Sequence, residues 1–133
     1  MRQVGRHTVF VVAMLLATAG SAHAEALVRK ALSGKTTRMF MYTSWNQDCS
    51  SKTGVVKVLA KPQHGTLTPR RDVDTTVGRN RVRPNNSCFG MPIKGFQVDY
   101  TSRPGYRGTD SFVIEATFGT QATIVDTFTV MVE

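Results

Sequence analysis

The sequence predicts an all-β fold, an antiparallel β-sandwich of about seven strands, and three observations lead to this prediction. The chain has 133 residues, 41% hydrophobic and 20% charged, which suits one globular domain and leaves no room for a separate cofactor domain. Its apolar residues recur mostly with a period of two, and outside the N-terminal segment no run sustains the helical period. Pro, Gly and Asn cluster between these short runs, as turns require.

Residues 1–24 are predicted to be a secretory signal peptide rather than part of the fold. Arg2 and Arg6 precede the apolar run Val9–Ala17, and Ala22-His23-Ala24 is a cleavage site of the A-x-A type. The apolar run is shorter than the roughly 20 residues that span a bilayer, which favours a cleaved leader over a membrane anchor. The mature domain, residues 25–133, then has 133 − 24 = 109 residues and a charge of 15 − 9 = +6.

Each strand is predicted from its own alternation or β-branched content. Ala26–Leu32 fits a strand or a short helix, and the strand is favoured. The predicted strands are Ala26–Leu32, Thr37–Tyr42, Val55–Ala60, Gly65–Thr68, Phe96–Tyr100, Ser111–Thr117 and Phe128–Val132. Phe96, Val98 and Tyr100 should share one face of their strand, as should 112, 114 and 116, and the set 128, 130 and 132 should point inward.

Turn residues separate the strands. Lys61–Gly65, Arg83–Ser87 and Arg103–Tyr106 carry the Pro, Gly and Asn of turns, and Pro104-Gly105 suits a type II turn. The stretch 69–95 is polar and the least regular, and it is predicted to be an irregular hairpin held by Cys88. Short strands bounded by turns in about 110 residues favour a sandwich.

Cys49 and Cys88 are the only cysteines, and export would place them in an oxidising compartment, which favours one internal disulfide. Free thiols and intermolecular bridges are the alternatives. A metal site is not expected, since no C-x-x-C or H-x-x-x-H spacing occurs.

Two motifs resemble those of bacterial Ig-like, cadherin-like domains over roughly residues 60–133. Pro62-Gln63-His64-Gly65-Thr66-Leu67 is similar to their P-x-H-G-T turn and strand. A second signature, Y-x-P-x-x-G-(aromatic)-x-G-x-D-x-F, is matched by Tyr100, Pro104, Gly105, Tyr106, Gly108, Asp110 and Phe112. The resemblance implies an Ig-like sandwich exported by a bacterium, in a class of structural, adhesive or carbohydrate-associated modules.

A structural role is expected for these motif residues. Gly105 and Gly108 can adopt backbone angles closed to other residues. The Asp110 carboxylate is expected to accept hydrogen bonds from amides of that loop, and the Tyr106 ring to cover the sandwich edge.

Catalysis is not expected. His64 is the one histidine of the mature chain and belongs to the turn motif, so a Ser–His or Cys–His nucleophile has little support. Four carboxylates lie in or beside strands, but Trp45 is the one tryptophan and no sugar-stacking cluster accompanies them. These carboxylates are Asp99, Asp110, Glu115 and Asp126.

No cofactor or metal is expected either. Asp72-Val73-Asp74 is a D-x-D pair without the D-x-D-x-D-G calcium loop, and a basic chain disfavours a divalent cation.

Basic residues give the best functional hint. Arg70 and Arg71 are adjacent, and Arg79, Arg81 and Arg83 alternate, so an extended strand would align the last three on one face. Such a row could bind carboxylates, phosphates or sulfates bidentately. The alternative is a solvated edge whose charges prevent aggregation.

The leading hypothesis is therefore a non-catalytic periplasmic or secreted binding module that recognises an acidic polysaccharide or an envelope protein. Nucleic acid is not an expected partner of an exported protein, and no membrane span is expected. The alternatives are a purely structural accessory subunit of a surface assembly and an uncharacterised hydrolase.

Overall fold

A computed structural model describes residues 26–78, 86–119 and 123–133, which form seven strands in two sheets. The strands are β1 (Leu27–Ala31), β2 (Thr36–Tyr42), β3 (Gly54–Ala60), β4 (Gly65–Thr76), β5 (Pro92–Ser102), β6 (Gly108–Phe118) and β7 (Ile124–Val132). The predicted signal peptide, residues 1–24, lies outside the described residues. No helix in the described part of the chain is long and apolar enough to cross a membrane.

The two sheets form the predicted β-sandwich. One sheet has the strand order β1-β7-β6-β3 and the other the order β2-β5-β4. Neighbouring strands are antiparallel except at one edge, where β1 runs parallel to β7 from Leu27 beside Phe128 to Ala31 beside Val132. The sandwich is therefore not purely antiparallel. A parallel neighbour requires a long connection, and here almost the whole domain connects the two strands.

The core lies where the period-two pattern predicted it. The three residues predicted to point inward from β7 are buried, and so are the two sets of three that alternation places on one face of β5 and one face of β6. The rings of Phe112 and Phe128 stack across β6 and β7 with centroids 4.7 Å apart, and Tyr100 of the opposite sheet lies 6.3 Å from Phe112. These contacts join the two sheets through close-packed aromatic side chains.

The stretch 69–95 contains more strand than predicted. β4 continues to Thr76 and β5 begins at Pro92, and the two pair from Gly65 beside Ser102 to Thr76 beside Pro92. β4 and β5 form the predicted hairpin, its irregularity is a register shift between Arg70 and Val73, and Cys88 is held in the disulfide. β4 lies at a sheet edge with most of its side chains in solvent, so it lacks the apolar alternation that marks a half-buried strand.

Candidate anion-binding cleft

A bulge in β4 separates the two adjacent arginines. Arg70 lies beside Gln97 and Val73 beside Gly95, so Arg71 and Asp72 together oppose one residue of β5. Asp72 has a φ of +55°, in the left-handed region. An extra residue of this kind bends a strand and re-aims its side chains. Arg70 and Arg71 therefore do not form one surface.

Arg70 is committed to a buried carboxylate. Its Nε lies 3.0 Å from Oδ2 of Asp99, a residue only 4% exposed, and Gln97 Nε2 donates to Oδ1 of Asp99 at 2.6 Å. The guanidinium compensates a charge that would otherwise be buried alone. Arg70 thus serves the fold of the three-stranded sheet.

Arg71 instead lines a cleft between the two sheets. Its guanidinium carbon lies 5.4 Å from the centroid of the Phe96 ring, within the range of a cation–π contact. The cleft has a volume of about 210 Å³ and reaches Gly54 of β3 and Phe118 of β6. A Cβ on Gly54 would lie 2.4 Å from the Phe118 ring, so this position accommodates no larger side chain without movement.

Three cations from three parts of the chain line this cleft. Lys52 precedes β3, Arg71 belongs to the β4 bulge and Lys94 belongs to β5, and one carboxylate, Asp72, lies on the same wall. Lys94 also forms an ion pair with Asp74. The hydroxyl residues Ser51 and Thr53 complete the polar wall. The lining is thus positively charged.

The disulfide holds one wall of the cleft in place. Cys49 and Cys88 are bonded, as predicted, at a sequence separation of 39. Cys88 packs with Val77 and Ile93 in a second small core, against which Trp45 and Cys49 lie. From this anchored loop the Oγ of Ser51 accepts a hydrogen bond from the Lys94 amide at 2.7 Å. The loop that carries Lys52 is therefore tied to β5.

Sequence reasoning found Arg71 but missed Lys52 and Lys94. They lie 42 positions apart, and no local pattern links them. The predicted disulfide was the one signal that could have linked them, since Cys49 lies three positions before Lys52 and Cys88 lies six positions before Lys94. Arg79, Arg81 and Arg83 lie outside the described residues, and their alignment stays a prediction.

The two family-like motifs meet at the carboxylate of Asp110. Backbone amides of Gln63 and His64 donate to it at 2.9 Å, and so does the Tyr100 hydroxyl. The Ser111 amide is a fourth donor. The prediction that the 105–108 loop supplies these donors was wrong. The turn before β4 supplies them, because the sandwich brings that turn against the start of β6.

This network shifts the pKa of both acidic groups. Burial alone would raise the pKa of Asp110, but hydrogen bonds from Gln63, His64, Tyr100 and Ser111 outweigh it and hold that pKa below its ordinary value. Burial and the adjacent Asp110 carboxylate raise the pKa of Tyr100. The pair is therefore an ionised carboxylate bound by a neutral phenol.

The remaining motif residues build the neighbouring turns. The His64 and Tyr106 rings stack at 4.1 Å, and the Arg103 guanidinium lies 2.9 Å from His64 Nδ1. Tyr106 N donates to Arg103 O at 3.1 Å and Gly105 has a φ of +85°, which confirms the type II turn.

A further motif glycine, Gly65, faces the Tyr100 ring, which would lie 2.6 Å from an added Cβ.

Pro62 immediately precedes Gln63, whose amide donates to Asp110. Gly108 has a φ of +135°, and Phe112 is buried in the core. These placements agree with a structural role for the motifs.

The other candidate carboxylates also have structural partners. The Tyr42 hydroxyl donates to Asp126 at 2.9 Å, and Lys57 lies 3.6 Å from Glu115. Among the described residues, no group of three or more His, Cys, Asp or Glu side chains is arranged to hold a metal ion.

Comparison with known proteins gives no family assignment. No family model matches the chain, and no curated protein matches it. The domain is a β-sandwich structurally similar to the solution structure of amebosin, with 10% sequence identity and a TM-score of 0.48. The match covers 80% of this chain and 88% of that chain.

Proposed function

We propose that the protein is a non-catalytic binding module of the bacterial envelope, an exported Ig-like domain that binds acidic polysaccharide. The observation that carries the proposal is the convergence of Lys52, Arg71 and Lys94 on one cleft between the sheets. Arg binds carboxylates and sulfates bidentately, and Lys adds point charges around them. The net charge of +8, or +6 without the predicted leader, would speed the approach of a polyanion.

The size of the cleft supports an anionic substituent rather than a whole sugar chain as its occupant. Its volume of about 210 Å³ is below the usual 300–1,000 Å³ of pockets that enclose a small molecule. Phe96 is 6% exposed, so its ring is not free to stack on a sugar. One carboxylate or sulfate would enter while the polymer passes outside.

A non-catalytic role is supported by the structural use of the reactive groups. Cys49 and Cys88 are oxidised to a disulfide. The carboxylate of Asp110 is bound by four donors, and Asp99 is paired with Arg70. His64, the histidine of the mature chain, stacks on Tyr106 and lies 2.9 Å from the Arg103 guanidinium.

Calorimetric titration with polygalacturonate, and with dextran as the neutral polymer, tests the proposal. We expect the protein to bind the acidic polymer with an affinity that falls as salt rises. In the double variant Lys52→Gln/Arg71→Gln the affinity should fall about tenfold, and the slope of log affinity against log salt concentration should decrease by roughly two. The matched control Lys35→Gln/Arg107→Gln removes the same charge from exposed positions elsewhere.

An equal loss in the control would assign the binding to net charge and overturn the cleft as the site. Absence of binding to either polymer would favour the structural accessory subunit. The triple variant Arg79→Ala/Arg81→Ala/Arg83→Ala tests the predicted arginine row in the same assay.

A further inference from the structure

Strand β3 is an edge of the four-stranded sheet, and among the described residues no strand pairs with its outer side. An edge strand presents unpaired N–H and C=O groups, which another extended chain can join. The sandwich has four such edges, β1, β2, β3 and β4, so the question is whether they are equally open.

The other three edges carry features that oppose pairing. In β1, the Arg29 guanidinium folds onto the backbone and donates to the carbonyls of Val28 and Met39. The register of β2 shifts between Arg38 and Phe40. In β4, Pro69 lacks an N–H and the bulge at residues 71–72 bends the strand. Bulges, prolines and charges are the usual protection of a sheet edge.

β3 has two of these features, the charged residue Lys57 and a register shift between Val58 and Ala60, and it contains no proline. It pairs with β6 in regular register from Gly54 to Val58, and the shift comes only after that. Val55 is 50% exposed and Leu59 is 53% exposed. A strand added here would cover these apolar side chains as well as satisfy backbone groups.

The charge around β3 selects the partner. From Cys49 to Pro69 the chain has no Asp or Glu and three Lys residues, Lys52 before β3, Lys57 within it and Lys61 after it. Lys57 lies in the middle of β3 with a side chain 66% exposed, and Glu115 at 3.6 Å compensates it only in part. A second copy would bring two basic edges together, which opposes self-pairing.

We propose that β3 binds an extended segment of a partner protein that adds to the sheet as a fifth strand and has an acidic residue with an apolar residue two positions away on each side. Backbone hydrogen bonds would supply most of the affinity, and side chains on alternate positions the specificity. An acidic residue would lie across from Lys57, with apolar residues beside Val55 and Leu59. This site is separate from the cleft proposed for acidic polysaccharide.

The probe is a short blocked peptide with glutamate at its centre, valine two positions away on each side and threonine at the positions between. Two control peptides accompany it: one with lysine in place of glutamate, and one N-methylated at two adjacent central residues. One methyl group then faces β3 in either register. We expect the acidic peptide to bind and to protect the amides of Val55–Val58 from hydrogen exchange, and we expect neither control to bind.

Charge reversal makes the test specific. Lys57→Glu should weaken the acidic peptide about tenfold and create binding of the lysine peptide. The matched control is Lys30→Glu, which changes an exposed, ion-paired lysine of the edge strand β1 and should leave both peptides unaffected. Circular dichroism verifies that each variant is folded.

Equal binding of the N-methylated peptide, or equal loss in Lys30→Glu, would overturn the proposal. Sedimentation of the protein alone tests whether a second copy of the chain occupies β3 instead. A dimer that Lys57→Glu abolishes, together with no peptide binding, would also overturn the proposal. Lys52→Gln/Arg71→Gln leaves β3 unchanged. The polysaccharide proposal and the peptide proposal can therefore fail independently of each other.

Discussion

The Tyr100 hydroxyl donates a hydrogen bond to the Asp110 carboxylate at 2.9 Å, and this contact joins the two sheets of the sandwich. Tyr100 belongs to β5 in the three-stranded sheet and Asp110 to β6 in the four-stranded sheet. The same carboxylate holds the amides of Gln63 and His64 at the turn before β4. One buried charge thus organises a sheet-to-sheet contact and a turn.

Asp110→Asn should destabilise the domain by about 2–4 kcal/mol, because hydrogen bonds to a buried charge are strong and the amide group would face donors. Chemical denaturation followed by tryptophan fluorescence measures the free energy of unfolding through Trp45. Asp72→Asn, at an exposed position of the bulge, is the control and should change this free energy by less than about 0.5 kcal/mol. Equal effects would mean that the network is not a stability determinant.

Acid should remove the contribution of Asp110. Its pKa is lower in the folded chain than the ordinary 3.8, so the folded state favours the ionised form. The stabilisation is fully present above the unfolded pKa and is lost as the pH falls through the folded pKa. The difference in unfolding free energy between the wild type and Asp110→Asn should therefore shrink below about pH 4. A constant difference down to the folded pKa would contradict this.

Removal of the disulfide in Cys49→Ser/Cys88→Ser should lower the unfolding free energy by about 4 kcal/mol in the chain-entropy model for a loop of this length. Because the bridge anchors the loop that carries Lys52, we also expect faster amide exchange at Ser51 and Lys52. Amides of β6 serve as the internal reference for local opening. Unchanged exchange at Ser51 would show that the bridge does not order the cleft wall.

Substitution of Arg70 should mainly lower stability, whereas substitution of Arg71 should mainly weaken polyanion binding. Arg70→Gln leaves Asp99 buried without its cation and should cost about 1–2 kcal/mol of stability, a value reduced because Arg70 is half exposed. Arg71→Gln should cost less than about 1 kcal/mol, the loss of a surface cation–π contact, yet weaken polyanion binding. Thermal denaturation and calorimetric titration of both variants separate the two roles. Equal behaviour would contradict the division made by the bulge.

The sequence by itself determined the all-β fold class, the residues that share one face of each core strand, and the disulfide. These features depend on local alternation, turn residues and a single possible pairing of two cysteines. Phe112, Ile114 and Ala116 could be assigned to the core because a period of two places them on one face of any strand.

Only the tertiary structure decided where the charges meet. Whether Arg70 and Arg71 share a surface depends on a one-residue register shift against β5, which no composition or spacing reveals. Lys52 and Lys94 meet because a disulfide and a Ser51 hydrogen bond bring distant segments together. Likewise, the partners of Asp110 are set by which turn the sandwich places beside β6. Local periodicity encodes the strands, whereas the register between strands and the packing of the sheets create the sites.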